Sequence, residues 1–316
     1  MSAGGKITTL KAAAKDLVQQ LKQNAISQDQ VRIAVVPFAQ YVNVGLSRRN
    51  EPWMSVPADW TETIPRSCYT RTPVTNATNC VTTTHTGQSC NDGVCTPRTY
   101  TRRTCDYTYG APQQVCVGPR TVNHVWRGCV GSRGAPRYKT DDSYNVEKVP
   151  GLLDTSCSTE MLPLIGIQGQ IISKINSLSP SGETYIPSGL IWGWRALSPG
   201  APFSESALGG ADPVEQALVL MTDGFNTKSR NGSKHNGSNT NDANTTTSDI
   251  CTNIKAVSSG IKVCTIAYSV TDPAIKAILQ NCASKPEYYF DAGSNAQLTA
   301  AFEQIARSLT QIRLTR

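Results

Sequence analysis

The sequence predicts an α/β fold: a mostly parallel sheet with helices on both faces, broken by a long disulfide-rich insertion. Two observations carry that prediction. After about Glu160, short β-branched runs alternate with amphipathic helical patterns, which is the order of a doubly wound sheet. Before it, eight of the eleven cysteines fall between Cys68 and Cys157, in a stretch where neither the helical nor the strand period holds.

The elements follow in order. Ile7, Leu10, Ala14, Leu17 and Leu21 recur at three- and four-residue spacing, one apolar stripe on a helix that begins near Lys6 after the Gly4-Gly5 loop. Residues 31–38 form a β-branched run typical of a buried strand, ended by Pro37, which cannot donate to a ladder. Tyr41, Val42 and Val44 read as an antiparallel edge strand. From Leu46 to Cys157 the chain is rich in Thr, Arg, Pro, Gly and Cys, predicting short strands at best. The chain thus divides into 1–45, an insertion at 46–157, and 158–316.

Ile167, Ile171, Ile172 and Ile175 mark a helix that stops before Ser179-Pro180-Ser181-Gly182. A helix over 187–197 follows, with Pro187 in its first turn. Residues 216–222 are a second buried strand. Asn226 to Thr247 is full of Asn, Ser, Thr and Gly and predicts a surface loop. Then come a helix at 249–259, a strand at 261–268, a helix at 272–281 and a short strand at 287–291. The last helix carries Leu298, Phe302, Ile305, Leu309 and Ile312.

Composition narrows the setting. No window approaches the roughly 18 apolar residues of a membrane span, and residues 1–24 do not read as a signal peptide. Clustered cysteines point instead to an oxidising compartment. Zinc is the alternative, since Cys90, Cys95, His85 and His124 lie near one another, but Cys-x4-Cys lacks a second matched pair. The pairings of Cys68, Cys80, Cys90, Cys95, Cys105 and Cys116 stay open. Cys264, beside Val263 and Ile266, reads as an inert core thiol. Of the net charge of +7, most sits in residues 66–148, with eleven Lys/Arg against five Asp/Glu. Such a segment can contact anionic surfaces, but no interleaved aromatic pattern or known module points to nucleic acid.

In doubly wound sheets ligands bind beyond the carboxyl ends of the strands. Asp223 stands at such an end, after Leu218-Val-Leu-Met-Thr222, and Thr184 stands in the loop before a helix. Both offer hard oxygen, suited to Mg²⁺, Mn²⁺ or Ca²⁺. Ser188 lacks the Gly-x-Ser-x-Gly elbow of a hydrolase, since Ile186 and Pro187 precede it.

Residues 182–194 and 218–224 resemble two of the three metal-binding loops of a von Willebrand factor A domain. Residues 187–199, 127–133, 281–284 and 301–306 are similar, in order, to stretches of TadG-like proteins of tight-adherence (Flp) pilus assembly. The resemblance implies a Rossmann-like, mostly parallel doubly wound sheet and a metal-ion-dependent adhesion site. In it Thr184 and Asp223 hold the ion, and a carboxylate or other oxygen of a protein partner or surface polymer completes the coordination. It also implies disulfide pairing among Cys251 and Cys282, and of Cys129 with Cys157.

The family's Asp-x-Ser-x-Ser loop ends the first, central strand and should stand immediately before the helix that begins near Lys6, and no such Asp and Ser pair stands upstream of that helix in this sequence. The expectation is therefore a sheet lacking its first central strand, weak or absent metal binding by this chain, and a longer form with a membrane anchor upstream of Met1. The expected role is non-enzymatic, in pilus assembly or adhesion at the cell envelope. The alternatives are an adhesin that binds through the Cys-rich insertion and a metal-dependent hydrolase built on Asp223.

Overall fold

The computed structural model describes residues 1, 5–23, 25–91, 94–208, 214–257 and 260–311. The expected stripe position Ile312 and the end of the helix expected to close at 259 lie outside them. The chain forms two compact units, Met1–Pro57 with Trp126–Arg316, and Ala58–Val125. The separate unit lies inside the 46–157 segment, and its flanks belong with the first unit.

In chain order the first unit opens with α1 (Lys6–Lys22), β1 (Ile33–Val35), β2 (Val42–Asn43) and β3 (Met54–Ser55). The second unit holds β4 (Trp60–Ile64), β5 (Ser67–Arg71), β6 (Val74–Asn91), β7 (Val94–Tyr109), β8 (Gln113–Val117) and β9 (Arg120–His124). The first unit resumes with β10 (Trp126–Val130), β11 (Val149–Leu153), β12 (Leu162–Ile165), α2 (Gln168–Ser177), α3 (Ile186–Leu197) and β13 (Ala217–Thr222). It ends with β14 (Ser229–Asn231), β15 (Lys234–Gly237), α4 (Thr240–Ala256), β16 (Lys262–Tyr268), α5 (Pro273–Cys282), β17 (Tyr289–Ala292) and α6 (Asn295–Gln311).

Strands β13, β16 and β17 form a parallel sheet with β16 in the middle. Every residue of β16 from Val263 to Tyr268 is buried, as a strand covered on both faces requires. Its side chains alternate between two cores. Val263 and Ala267 join Leu218, Ile250 and Leu279 beneath α3, α4 and α5. Cys264, Ile266 and Tyr268 join Ala13, Leu298, Phe302 and Ile305 of α1 and α6. Period-two alternation between two apolar layers is what makes the sequence run read as uninterrupted hydrophobicity.

Strand β1 pairs antiparallel with β12. Ile33 and Val35 pack with Val18, Ile171 and Ile175, while Ala34 and Val36 pack into the core beneath α3. The β1–β12 ribbon therefore lies between the same two helical layers as the parallel sheet, and Ala14 of α1 touches both cores on one side. Of the expected 31–38 strand, Ile33–Val35 forms β1, and Phe38 makes an isolated antiparallel bridge to Val42. As expected, β2 is an antiparallel edge strand, in a sheet of order β2-β10-β11-β3.

Two expectations need correction. Asn226–Thr247 is not a loop throughout: it forms the β14–β15 hairpin and the first two turns of α4. The helix starts at Thr240 because Asn239 caps it, accepting from the Asp242 amide at 3.1 Å, and because Ala243, Thr246, Thr247, Ile250, Cys251 and Ile254 are buried along one face. The insertion does not hold short strands only. β6 and β7 run 18 and 16 residues as one antiparallel ribbon. An isolated two-stranded ribbon is marginal in water. Here Cys68–Cys116, across β5 and β8, and Cys80–Cys105, across β6 and β7, tie the strands together. In the first unit Cys129 bonds Cys157 and Cys251 bonds Cys282, and Cys264 is a buried free thiol whose pKa burial raises to about 11.

Candidate functional site

Parallel strands β13, β16 and β17 direct their carboxyl ends to one edge of the sheet, and Asp223 is the first residue beyond β13. Its carboxylate accepts from Lys6 Nζ at 3.4 Å and from the Met1 amino group. Lys6 Nζ also sits 5.6 Å from the centre of the Tyr268 ring, at the end of β16. Burial, and after it the Asp223 charge, raises the Tyr268 pKa.

Thr184 approaches the same edge on the loop before α3, which turns at Gly182 with φ +87°. That conformation favours glycine. The two loops are laced together. The Thr184 amide donates to Thr227 Oγ1 at 2.8 Å, and the Thr184 carbonyl accepts from the Thr227 amide at 2.9 Å and the Lys228 amide at 3.1 Å. The Ile186 amide, an orphan donor in the first turn of α3, is satisfied by Asn226 Oδ1 at 2.7 Å. Asn226 Nδ2 in turn donates to Asn244 Oδ1 of α4 at 2.9 Å. Asn226 is 1% exposed and clamps three elements. Sequence reasoning placed it in a polar loop. Its position three residues beyond Asp223, at the strand's mouth, was the available signal.

A cation such as Mg²⁺ takes about six oxygen ligands. Thr184 and Asp223 supply one hydroxyl and one carboxylate, and that carboxylate faces the Lys6 ammonium at 3.4 Å. Among the described residues no group of three or more His, Cys, Asp or Glu is placed to hold a metal. The residues present do not complete a cation site.

Behind the loops lies a cluster that the sequence did not suggest. His235 of β15, 3% exposed, lies between the rings of Tyr41 and Tyr185, at centroid distances of 4.9 and 4.5 Å. Its Nδ1 donates to the Gln40 carbonyl, and its Nε2 accepts from Ser132 Oγ at 2.8 Å. Its amide donates to the Tyr41 hydroxyl at 3.1 Å. Burial holds the imidazole neutral, with its pKa lowered to about 4.

Ser188 Oγ is 3.1 Å from His235 Nδ1, a nucleophile-and-base distance. The chemistry of that pair does not follow. Nδ1 carries the hydrogen donated to Gln40, Ser188 Oγ donates to the same carbonyl at 3.0 Å, and Ser188 is 2% exposed. The group is a polar staple joining β15 to α3 and to the Gln40–Tyr41 turn.

In the second unit, the disulfides at Cys68, Cys80, Cys105 and Cys116 remove four thiolates from any zinc site. His124 stacks on Trp60 and His85 on Tyr100, with centroids at 4.0 and 5.5 Å.

No family model matches the chain, and no curated protein matches it significantly. Solved structures do. The chain is similar to the pilus adhesin SpaC of Lactobacillus rhamnosus GG, at 19% identity and TM-score 0.35 over 47% of this chain and 22% of that one. It is similar to the von Willebrand factor domain of the type V pilus tip protein Mfa5 of Porphyromonas gingivalis, at 17% identity and TM-score 0.36 over 47% of this chain and 74% of that one. It is also similar to proximal thread matrix protein 1 of the mussel byssus, a structure with a zinc-occupied MIDAS motif, at 18% identity and TM-score 0.33 over 47% of this chain and 33% of that one. The chain spans about a fifth of the length of the first of these. A von Willebrand A-type domain is thus among the structures it resembles. At these scores the likeness carries no inference about a shared ligand.

Among the described residues no helix is long and apolar enough to cross a membrane. Disulfides of the kind seen here persist in oxidising compartments, at cell surfaces and in envelopes.

Proposed function

We propose that the chain is a non-enzymatic binding or assembly module of the von Willebrand A type, close to the TadG-like proteins, acting in pilus assembly or adhesion at the cell envelope. Its contact end is the laced pair of loops at 182–186 and 223–228. The observation that supports this reading is the lacing itself: Asn226 and Thr227 tie the Thr184 loop to the loop that follows Asp223, and Asp223 stands at the carboxyl end of a parallel strand, where such sheets bind ligands.

The split sheet supports the second half of the reading. β1 pairs with β12 alone and β13 with β16 alone, among the described strands. The side chains of β1 are half-buried, and so are Ala217, Val219 and Met221 of β13, in contrast to β16. We propose that one further strand pairs between β1 and β13 and brings the Asp-x-Ser-x-Ser loop that the resemblance places at its end. The Mg²⁺ or Mn²⁺ site belongs to that completed sheet, and its partner offers a carboxylate or another oxygen.

The test is adhesion and piliation of cells whose chromosomal copy carries Asp223→Ala, with the level of the protein followed by immunoblot. Loss of Mg²⁺-dependent adhesion at unchanged protein level is expected. Adhesion equal to wild type would sink the proposal.

A further inference from the structure

The β6–β7 ribbon sorts its side chains in a way that the linear sequence hides. Eight consecutive register pairs run from Val81↔Thr104 to Gln88↔Pro97. Because successive residues of a strand point to opposite faces, Val81, Thr83, His85 and Gly87 share one face with Thr104, Arg102, Tyr100 and Arg98. That face reads Arg-Tyr-Arg along β7, with His85 stacked on Tyr100 at an interplanar angle of 19°. The Tyr100 ring lies over Gly87, whose missing Cβ would come within 3.2 Å of it. Tyr100 is nonetheless 53% exposed, so its other side meets solvent. The two arginines flank it, roughly 14 Å apart along the strand at ~3.4 Å per residue.

We propose that this face is a binding surface for an anionic polysaccharide. Within the eight pairs there are three arginines and no Asp or Glu. Farther along the same side Asp106 is engaged by Asn79 Nδ2 at 2.9 Å. Neither Arg98 nor Arg102 has an ion-pair partner among the described residues. Every cation between residues 58 and 125 is an arginine. The planar guanidinium fork matches carboxylate and sulfate groups, whereas an ammonium acts as a point charge. A half-exposed tyrosine between two such forks supplies an apolar face for a sugar ring.

Two other polyanionic surfaces fit less well. A bilayer calls for apolar side chains to insert, and residues 81–104 contain no Leu, Ile, Phe, Met or Trp. Nucleic acid is concentrated in reducing compartments, whereas the Cys68–Cys116 and Cys80–Cys105 bridges persist in oxidising ones. The proposal stands independently of the metal-dependent contact end, because it involves no residue of the first unit.

The experiment measures binding of the whole chain by surface plasmon resonance. The surfaces are heparin, which carries sulfate, and polygalacturonate, which carries carboxylate. Single-stranded DNA, anionic phosphatidylglycerol vesicles and uncharged dextran provide the comparisons. Saturable binding to at least one anionic glycan is expected, weakening as salt rises. The double variant R98A/R102A should bind at least about tenfold more weakly. Arg103→Ala removes a charge from the opposite face of the same ribbon and should bind within about twofold of wild type. Tyr100→Ala should weaken binding and Tyr100→Phe should not. Failure to bind either glycan, equal loss in Arg103→Ala and R98A/R102A, or tighter binding to DNA or vesicles would each overturn the assignment. Because these side chains are exposed, the variants keep the fold, checked by circular dichroism.

Discussion

Between pH 6.5 and about 4 the protein should lose stability through His235. Its imidazole is held neutral to about 4 by burial, against 6.5 in an open chain. Below pH 6.5 the unfolded state therefore binds a proton that the folded state refuses, and stability falls as pH falls. Above about 6.5 the contribution is fully present; by about 4 the folded form protonates as well and the loss is complete. A shift of this size corresponds to about 3 kcal/mol, a large part of a typical net stability of ~5–15 kcal/mol.

The perturbation is His235→Gln, which can still donate to the Gln40 carbonyl but does not titrate. Urea unfolding is followed at intervals from about pH 7.5 to about pH 4.5 for both proteins, with free energies taken by linear extrapolation. At the upper end the variant should be the weaker by about 1–3 kcal/mol, for the lost bond to Ser132 and the lost ring contacts with Tyr41 and Tyr185. The gap should then narrow as the pH falls, because only wild type suffers the histidine penalty. Carboxylates titrate in both proteins and cancel in the difference. Curves that stay parallel across the whole range would refute the reasoning.

Two further predictions concern the first unit. Asn226→Ala leaves the Ile186 amide and Asn244 without their partner, so it should cost about 1–3 kcal/mol in urea unfolding and speed amide exchange at Ile186. Unchanged exchange there would show that the loops do not depend on the clamp. Replacing Cys251 and Cys282 together by Ser opens a cross-link spanning 31 residues, and the loop-closure relation puts that at ~3–4 kcal/mol. The check is the urea midpoint under non-reducing conditions.

What could be read from the sequence followed the strength of the local pattern. β16 was legible because both its faces are apolar, and α6 because its stripe keeps the helical period as far as Leu309. α4 was hidden. Its first turns are Thr, Asn and Ser, and only burial against the core turns Ala243, Thr247, Ile250 and Ile254 into a helix face. The long ribbon was hidden for the opposite reason: with both faces in solvent, β6 and β7 show no apolar alternation, and Thr-rich composition reads as loop. Asp223 and Thr184 could be named from strand-end position and family resemblance. Asn226 and His235 could not, since their partners come from distant segments, Tyr41 lying 194 residues from His235. No local period encodes such a contact.

The central claim is that Asp223 and Thr184 become a metal site when one more strand pairs between β1 and β13. Its most direct test is Mn²⁺ titration followed by electron paramagnetic resonance. The chain is measured alone and with a synthetic peptide carrying an apolar strand that ends in Asp-x-Ser-x-Ser. The account predicts one bound Mn²⁺ per chain with the peptide, little without it, and loss of that binding in Asp223→Ala or when the peptide's Asp is replaced by Ala. A peptide that joins the sheet without creating a Mn²⁺ site, or Mn²⁺ binding that persists in Asp223→Ala, would contradict it.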